Sequence, residues 1–431
     1  MNTANKKLLI LGGTSASLDL VRNAKKMGIY TIVTDNNKTG VAKEIADETA
    51  QISTADIAAL VAYCKEQQVD GIFCGPSEFN LRNVIRAANE ANLPCYTTTP
   101  IWDRCANKDV FKHYCRQYHV DCTPEYNIDR NTTMAELEAI PYPIIIKPVD
   151  GCSSAGISVC HTADDVGPAL EKAYGASKSQ KIIAEKFIEN NGEIFSVRYM
   201  LQDGEAYPYF LMDTYVVDPV HRVSLISGYS CAPSKYARYY MEHMDADVRE
   251  MLKGMGLKDG TAFIQALPYD GKIYFHEMGY RLSGGMLFKL TEPLANINDM
   301  QIMLRGAVGG PYLLEEEANN IDWRCKGKRG GQLMVPLQAG VIGSISGLDE
   351  ILANKAVCDC IQYYQVGDTI SPALIGTLGQ HFCRITFIAD TAEQEKELIA
   401  HFQSVIKISD TNGKQMNCTP FSVSRMEGRN I

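Results

Sequence analysis

The sequence has no C-x-x-C pair, no G-x-x-x-x-G-K-[ST] loop, no long basic run and no apolar stretch approaching the length of a bilayer crossing. Each absence removes a class. Its 42 Lys+Arg against 51 Asp+Glu leave a net charge of -9, so nucleic acid is not an expected partner. Lacking about 20 consecutive apolar residues, and starting with MNTANKKLLILGG, which passes straight into a strand and turn, the chain is expected to be cytoplasmic with no membrane partner. The fourteen cysteines are scattered, with only Cys358-Asp359-Cys360 close together, and the eight histidines show no metal spacing. Reduced, mostly buried thiols are expected rather than zinc or disulfides. A full G-x-G-x-x-G is missing too, because Gly12-Gly13-Thr14-Ser15-Ala16-Ser17 lacks the third glycine, which argues against a nicotinamide cofactor.

What is present is enough for several cores. At 431 residues and 45% hydrophobic content, roughly three domains are expected. The first hundred residues alternate strand and helix. Lys7 to Leu11, Tyr30 to Thr34 and Gly71 to Cys74 read as strands, and Leu18, Leu20, Val21 and Ala24, then Leu81, Val84, Ile85 and Ala88, mark helix faces. This is an open α/β pattern with ligands expected at the carboxyl ends of its strands. TTTPIWD, Thr97 to Asp103, marks a boundary. Asn107 then caps a helix whose buried face reads Val110, Phe111, Tyr114 and Tyr118, leaving Lys108 free in the first turn. From Asn190 onward mostly antiparallel strands are expected, until a basic linker, Arg324 to Gly331. Strands at Leu333 to Leu337 and Phe382 to Ile388, and a helix opened by Thr391 with Gln394, complete the tail.

Two distant stretches carry chemistry. PIIIKPVDGCSSAGIS, Pro143 to Ser158, is a strand ending on Lys147 and entering a loop of small residues. Such a loop lets backbone N–H groups and the Ser153 and Ser154 hydroxyls approach phosphate oxygens while Lys147 supplies a point charge; the alternative is a plain flexible turn. IYFHEMGYRLSGG, Ile273 to Gly285, delivers Glu277 and Arg281. If Tyr269-Asp270-Gly271 is a three-residue turn, Phe263, Gln265, Phe275 and Glu277 share one face, and Gln265 and Glu277 converge as oxygen ligands for magnesium. A two-residue Asp270-Gly271 turn would instead set His276 opposite Gln265. Arg281 is either the ion-pair partner of Glu277 or a fork for an anion in the same cleft. In KIIAEKFIENNGEIFSV, Lys181 to Val197, an adenine could lie against the first strand and Glu193 could accept from ribose hydroxyls. Substrate contacts are sought at Thr14-Ser15, Ser77-Glu78, Tyr215, His221 and Arg222.

In their order along nearly the whole chain, these motifs resemble the ATP-grasp superfamily, in particular its carboxylate–amine ligases. The Lys147 stretch is similar to that of D-alanine–D-alanine ligases. The tail, with Gly340-Val341-Ile342-Gly343 and Gly367-Asp368, resembles L-amino-acid ligases and the biotin-carboxylase and carbamoyl-phosphate-synthase group. The resemblance implies α/β and α+β architecture: an N-terminal open α/β (pre-ATP-grasp) domain over residues 1–103, a two-lobed ATP-grasp domain over 104–323 with a lid at about 120–197, and a mixed β/α domain over 324–431. It also implies ATP and Mg2+ (or Mn2+) as cofactors, with Lys108 and Lys147 on the phosphates and Ser153, Ser154 and Gly156 covering them. Glu185, Lys186 and Ile188 would frame adenine and Glu193 hold ribose. Glu277 and Gln265 would hold metal, and Arg281 would act with Lys147 on the transferred phosphoryl. Small-molecule carboxylate and amine substrates and a homodimer are further implications.

Departures from the pattern are specific. Where relatives carry an Asn two positions after the bridging glutamate, this chain has Gly279, and Gln265 is neutral where many have a carboxylate. The leading expectation is an ATP-dependent ligase that activates a carboxylate as acyl phosphate for attack by an amine. A bicarbonate-activating carboxylase-like enzyme and a non-catalytic ATP-binding protein are the alternatives. Cys152 is not an expected nucleophile.

Overall fold

Four short strands near the amino terminus build a parallel sheet in the spatial order Glu48–Ala50, Tyr30–Thr34, Lys7–Leu11 and Gly71–Cys74. Their near-continuous apolar runs are buried because helices cover the sheet. Asp56 and Ser77 accept from the Ala59 and Asn80 N–H groups and so open two of those helices, Ile57–Glu66 and Glu78–Ala91. The computed structural model describes residues 3–149, 156–217 and 226–427. Ser153, Ser154, Cys152, His221 and Arg222 lie outside these described residues.

The segment from Thr97 to Asp103 does not simply interrupt the pattern. It opens a helix of its own, Thr99–Ala106, because Pro100 sits in the first turn where no N–H is required. Asn107 ends that helix and caps the next, Lys108–Gln117, accepting from the Asp109 and Val110 N–H groups at 3.0 and 3.1 Å. The buried stripe of this second helix is Phe111, Lys112 and Cys115, while Val110, Tyr114 and Tyr118 are only half-buried. A lysine at an apolar-periodic position is the surprise of the helix.

A small sheet follows in the order Glu125–Tyr126, Ile182–Lys186, Ile144–Pro148 and Ser158–Cys160. One face, with Ile144, Ile146 and Ala184, packs on the helix Val166–Ala176 in a small core of its own. The alternation of strands then turns Ile145, Lys147, Ile183 and Glu185 to the other face, since Ile145 pairs with Glu185 and Lys147 with Ile183.

The largest element is an eight-stranded antiparallel sheet. Its order is Lys272–Gly279, Gly260–Tyr269, Glu193–Gln202, Glu205–Val216, Ser227–Ala232, Arg329–Pro336, His381–Ala389 and Val357–Gln362. Arg329, Gly330 and Gly331 are therefore ladder residues and not the end of a linker, since they pair with Ala389, Ile388 and Phe387. Among the described residues after Asn190 there are also helices, including Asp245–Gly254, Phe288–Ala295 and Asp299–Ala307, so the region is mixed rather than mainly strand.

The hairpin that carries Glu277 solves its register differently from the simple expectation. Tyr269 pairs with Lys272, so the turn is the two-residue Asp270-Gly271, both at positive φ (50° and 73°). That turn alone would turn Glu277 away. A bulge restores it: Ala266 pairs with Phe275 but Gln265 with Glu277, leaving His276 as the extra residue. Gln265 and Glu277 thus share a face with Phe263, whereas Phe275 points into the opposite core beside Tyr240.

Gly279 pairs with Phe263, and a Cβ at Gly279 would clash with the edge of the Phe263 ring at Cζ and Cε1. The ring occupies the space an asparagine side chain would need. Gly279→Asn should therefore destabilise the fold by about 1–3 kcal/mol. Combined with Phe263→Ala in a double-mutant cycle, the urea midpoints should reveal a coupling of about 0.5–3 kcal/mol, whereas simple additivity would acquit the ring.

Candidate active site

The cation face of the small sheet looks across a cleft of about 930 Å³ at the hairpin face of the large one. Lys108, Lys147, Glu185, Lys186, Ile188, Gln265, Glu277 and Arg281 all line it, so the two distant stretches of sequence do meet around one space. Trp102, Phe111, Phe187, Phe263 and Leu267 supply apolar wall, and Gly376, Thr377 and Leu378 reach it from the carboxyl-terminal third.

Beneath this surface lies an ion network. Lys147 and Lys112 both contact the Glu185 carboxylate, and Lys112 also lies 3.3 Å from Glu125 and 3.4 Å from the Thr123 carbonyl it donates to. Lys112 is 0% exposed and the Glu185 side chain 2%, so each of these buried charges depends on its ion partners. Burial, then the neighbouring cations Lys112 and Lys108, bring Lys147 down to about 7. Burial likewise brings Lys112 to about 8, against the pull of Glu125. His276 stays neutral because it is buried and faces Lys147, Lys108 and Lys112. Its Nε2 has no partner among the described residues. Each lysine has a glutamate beside it: Lys108 has Glu277, Lys112 has Glu125 and Glu185, and Lys147 shares Glu185.

At the opposite wall Lys108 stands 3.8 Å from the Glu277 carboxylate. Arg281 does not pair with Glu277. Its Nη2 and Nε donate to Glu78 at 3.0 and 3.3 Å, and its guanidinium lies 5.1 Å from the Phe263 ring centre. Because Glu78 opens a helix of the first sheet, this contact joins the amino-terminal layer to the cleft. Ser77-Glu78 therefore contributes to the site through Glu78, while Thr14 and Ser15 are not among the lining residues and Tyr215 is fully buried in the carboxyl-terminal core.

Two expected nucleotide contacts sit elsewhere. Glu193 is held by Lys235 and the Tyr236 hydroxyl, at 2.8 Å each, and is not on the cleft wall, although its neighbours Asn190, Gly192 and Ile194 are. Gly156, at φ 77°, packs on Pro148 and Ala176, and Ile157 is the wall residue instead. Sequence reading missed Lys112, Glu125 and His276. A signal for Lys112 existed, because Lys108, Phe111, Lys112 and Cys115 stand at the i, i+3, i+4 and i+7 positions of one helix face.

Could the wall hold a metal? No group of three or more His, Cys, Asp or Glu suited to one exists among the described residues. Glu277 and Gln265, cross-strand neighbours, offer two oxygen ligands. Magnesium is often held by one or two protein oxygens together with substrate phosphates, so this pair fits an ion that arrives with a nucleotide.

Comparison with known proteins agrees with this geometry. The family described as D-ala D-ala ligase C-terminus matches residues 118–203, the segment of the small sheet. A formate-dependent phosphoribosylglycinamide formyltransferase of Wolinella succinogenes is 22% identical over 317 residues, 72% of this chain and 78% of that protein. The L-amino acid ligase of Bacillus licheniformis superposes with a TM-score of 0.77 at 20% identity, covering 94% of this chain and 99% of its own. Phosphoribosylglycinamide synthetase of Anaerococcus prevotii (TM-score 0.73, 18% identity, 94% and 100% covered) and a Campylobacter jejuni biotin carboxylase complex (TM-score 0.73, 16% identity, 95% and 92% covered) share the arrangement. The parallel first sheet, the small cation-bearing sheet and the long antiparallel sheet with its glutamate hairpin give this chain the ATP-grasp superfamily fold, of the carboxylate–amine ligase type.

Proposed function

We propose that the protein is an ATP-dependent ligase that activates a small carboxylate as its acyl phosphate and passes the acyl group to an amine. The observation that carries this reading is the meeting of Lys147, Lys108 and Glu277 around one cleft, where Lys147 has only a carboxylate it shares with Lys112. A triphosphate would draw Lys147 and Lys108 from these partners. Similar proteins are named for formate, an L-amino acid and bicarbonate complexes, which are all carboxylate or carbonate chemistry.

In this reading the adenine lies along Glu185–Ile188, where Phe187 and Ile188 give apolar contact and the strand end offers backbone groups. Glu193 would hold ribose after exchanging its Lys235 and Tyr236 contacts. Ser153, Ser154 and Gly156 belong to the loop that would cover the phosphates. Lys147 and Lys108 hold phosphate oxygens, and as they do, Lys147 leaves Glu185 to Lys112, which keeps that carboxylate paired. Glu277 and Gln265 would hold magnesium, which when bound neutralises the phosphate oxygens and orients them for in-line displacement.

The substrate carboxylate oxygen attacks the γ-phosphorus, the bond to the β-γ bridging oxygen breaks, and ADP leaves. Arg281, released from Glu78, is placed to neutralise the transferred phosphoryl or the oxyanion formed when the amine nitrogen attacks the acyl carbon. The nitrogen gives up a proton to solvent and phosphate leaves, which completes the amide. The small sheet, with its own core, is suited to act as the lid that excludes water from the acyl phosphate. We place the lid within about 120–197 of a central unit spanning 104–323, with units of 1–103 and 324–431 on either side.

The decisive experiment screens amino-acid pairs, formate and bicarbonate for Mg·ATP-dependent release of phosphate. Turnover with a carboxylate and an amine together supports the ligase. Turnover with bicarbonate alone favours the carboxylating reading, and binding without any turnover favours a nucleotide-binding protein, to which Gly279 and the neutral Gln265 lend weight. Glu277→Gln should reduce turnover by about 100-fold or more, and Lys147→Ala should weaken Mg·ATP binding by about 10–100-fold in calorimetry. Normal values in either variant would remove that residue from the site.

Protonation gives an independent check. With Lys147 at about 7 in the nucleotide-free protein, most of it is neutral at about pH 8 and mostly charged at about pH 6. Phosphate contact raises its pKa, so binding should take up a proton at the higher pH and little at the lower. Calorimetry in buffers of different ionisation enthalpy reads this directly. Equal uptake at both values would mean that Lys147 does not meet the phosphates.

A further inference from the structure

A guanidinium from the carboxyl-terminal third reaches the chain that forms one wall of the cleft. Arg425 stands on the short turn Val423–Met426. Its Nη1 donates to the Val216 carbonyl at 2.8 Å and its Nη2 to the Asn191 carbonyl at 2.9 Å, 209 and 234 residues away in sequence. The guanidinium also lies 5.5 Å from the Tyr215 ring centre and 5.6 Å from that of Phe421. The turn has anchors of its own. Met426 is buried in the carboxyl-terminal core, and the Phe421 N–H and carbonyl bond the Gln403 amide at 2.6 and 3.1 Å. Arg425 reaches outward from a turn already seated.

Its two acceptors mark a junction. Val216 N–H donates to the Gly192 carbonyl at 3.0 Å, so one guanidinium holds both of the chain segments that meet there. Asn190 and Gly192 line the cleft on either side of Asn191, which is exposed and turns its carbonyl to Arg425. Asn191 and Gly192 are both at positive φ (54° and 67°), a bend that asparagine and glycine tolerate. Here the chain leaves the small sheet, after Ile182–Lys186, and enters the large one at Glu193. Where it enters the small sheet, the backbone of Asp121 and Thr123 is tied to Phe275 at 2.9 and 3.1 Å. The entry is fastened by backbone, and the exit carries a side-chain clamp.

We propose, resting on the nucleotide reading above, that Arg425 is a positioning residue for the nucleotide end of the cleft. It acts through the Asn190–Gly192 bend, holding the exit of the small sheet in the geometry that receives a nucleoside triphosphate. Without its two charged hydrogen bonds the bend gains freedom, and ordering of the wall residues Ile188, Asn190, Gly192 and Ile194 must then accompany binding. Affinity falls accordingly.

The test compares the full chain with Arg425→Met, which keeps a stem against Tyr215 and Phe421 but donates nothing, and Arg425→Lys, which keeps a charged donor. In calorimetry, Mg·ATP binding should weaken by about tenfold in Arg425→Met and return to within about threefold of wild type in Arg425→Lys. Amide exchange over residues 189–193 and at Val216 should quicken in Arg425→Met while the parallel first sheet keeps its protection. Faster exchange in both regions alike would make Arg425 a stabiliser of the whole fold and overturn the proposal. Wild-type affinity in a folded Arg425→Met would overturn it too and leave the nucleotide reading intact, whereas wild-type protein that binds no Mg·ATP would overturn both. Should Arg425→Met not fold, the wild-type chain decides: Mg·ATP should slow exchange of the Val216 amide, and unchanged exchange there would overturn the proposal.

Discussion

A lysine with no access to solvent, Lys112, fixes the architecture of the cleft. Burying an ammonium group is unfavourable unless an anion meets it, and Glu185 and Glu125 both do. Those carboxylates stand on neighbouring strands of the small sheet, while Lys112 stands on the helix packed beside the hairpin. One cation therefore binds the two walls at a defined distance. Lys147 shares the same carboxylate from above, which leaves its charge incompletely satisfied and open to a better anion.

The pairing also accounts for how charge can be exchanged without unpairing the interior. When Lys147 turns to another anion, Glu185 still has Lys112. In the proposed reaction a divalent cation would take the place of Lys108 at Glu277. Arg281 and Glu78 repeat the theme beside the first sheet, where a guanidinium rests on an exposed carboxylate. Each candidate cation is thus paired with a carboxylate: Lys147 with Glu185, Lys108 with Glu277 and Arg281 with Glu78.

The hairpin shows how a local irregularity sets which residues face the cleft. A two-residue turn is favoured by Asp270-Gly271, and on its own it would direct Glu277 to the wrong face. The bulge at His276 adds one residue and reverses the alternation, so the turn and the glutamate are both accommodated. The His276 side chain becomes buried among lysines and remains neutral. Phe263, opposite Gly279, fills the space that another side chain would have taken.

Much of this was readable in the residues themselves. Apolar runs fixed the parallel strands, Asn107 and Thr391 marked helix starts, and the Lys147 and Glu277 stretches stood out by composition, because strand periodicity and capping act over a few neighbouring residues. Tertiary structure alone decided which charges meet. Lys112 with Glu185, Arg281 with Glu78 and Glu193 with Lys235 and Tyr236 join positions tens to hundreds of residues apart. The bulge that turns Glu277 inward and the strands beyond residue 324 that extend the large sheet belong to the same class. Burial, which makes an unpaired charge intolerable, is a property of the assembled chain, and no local window of sequence contains it.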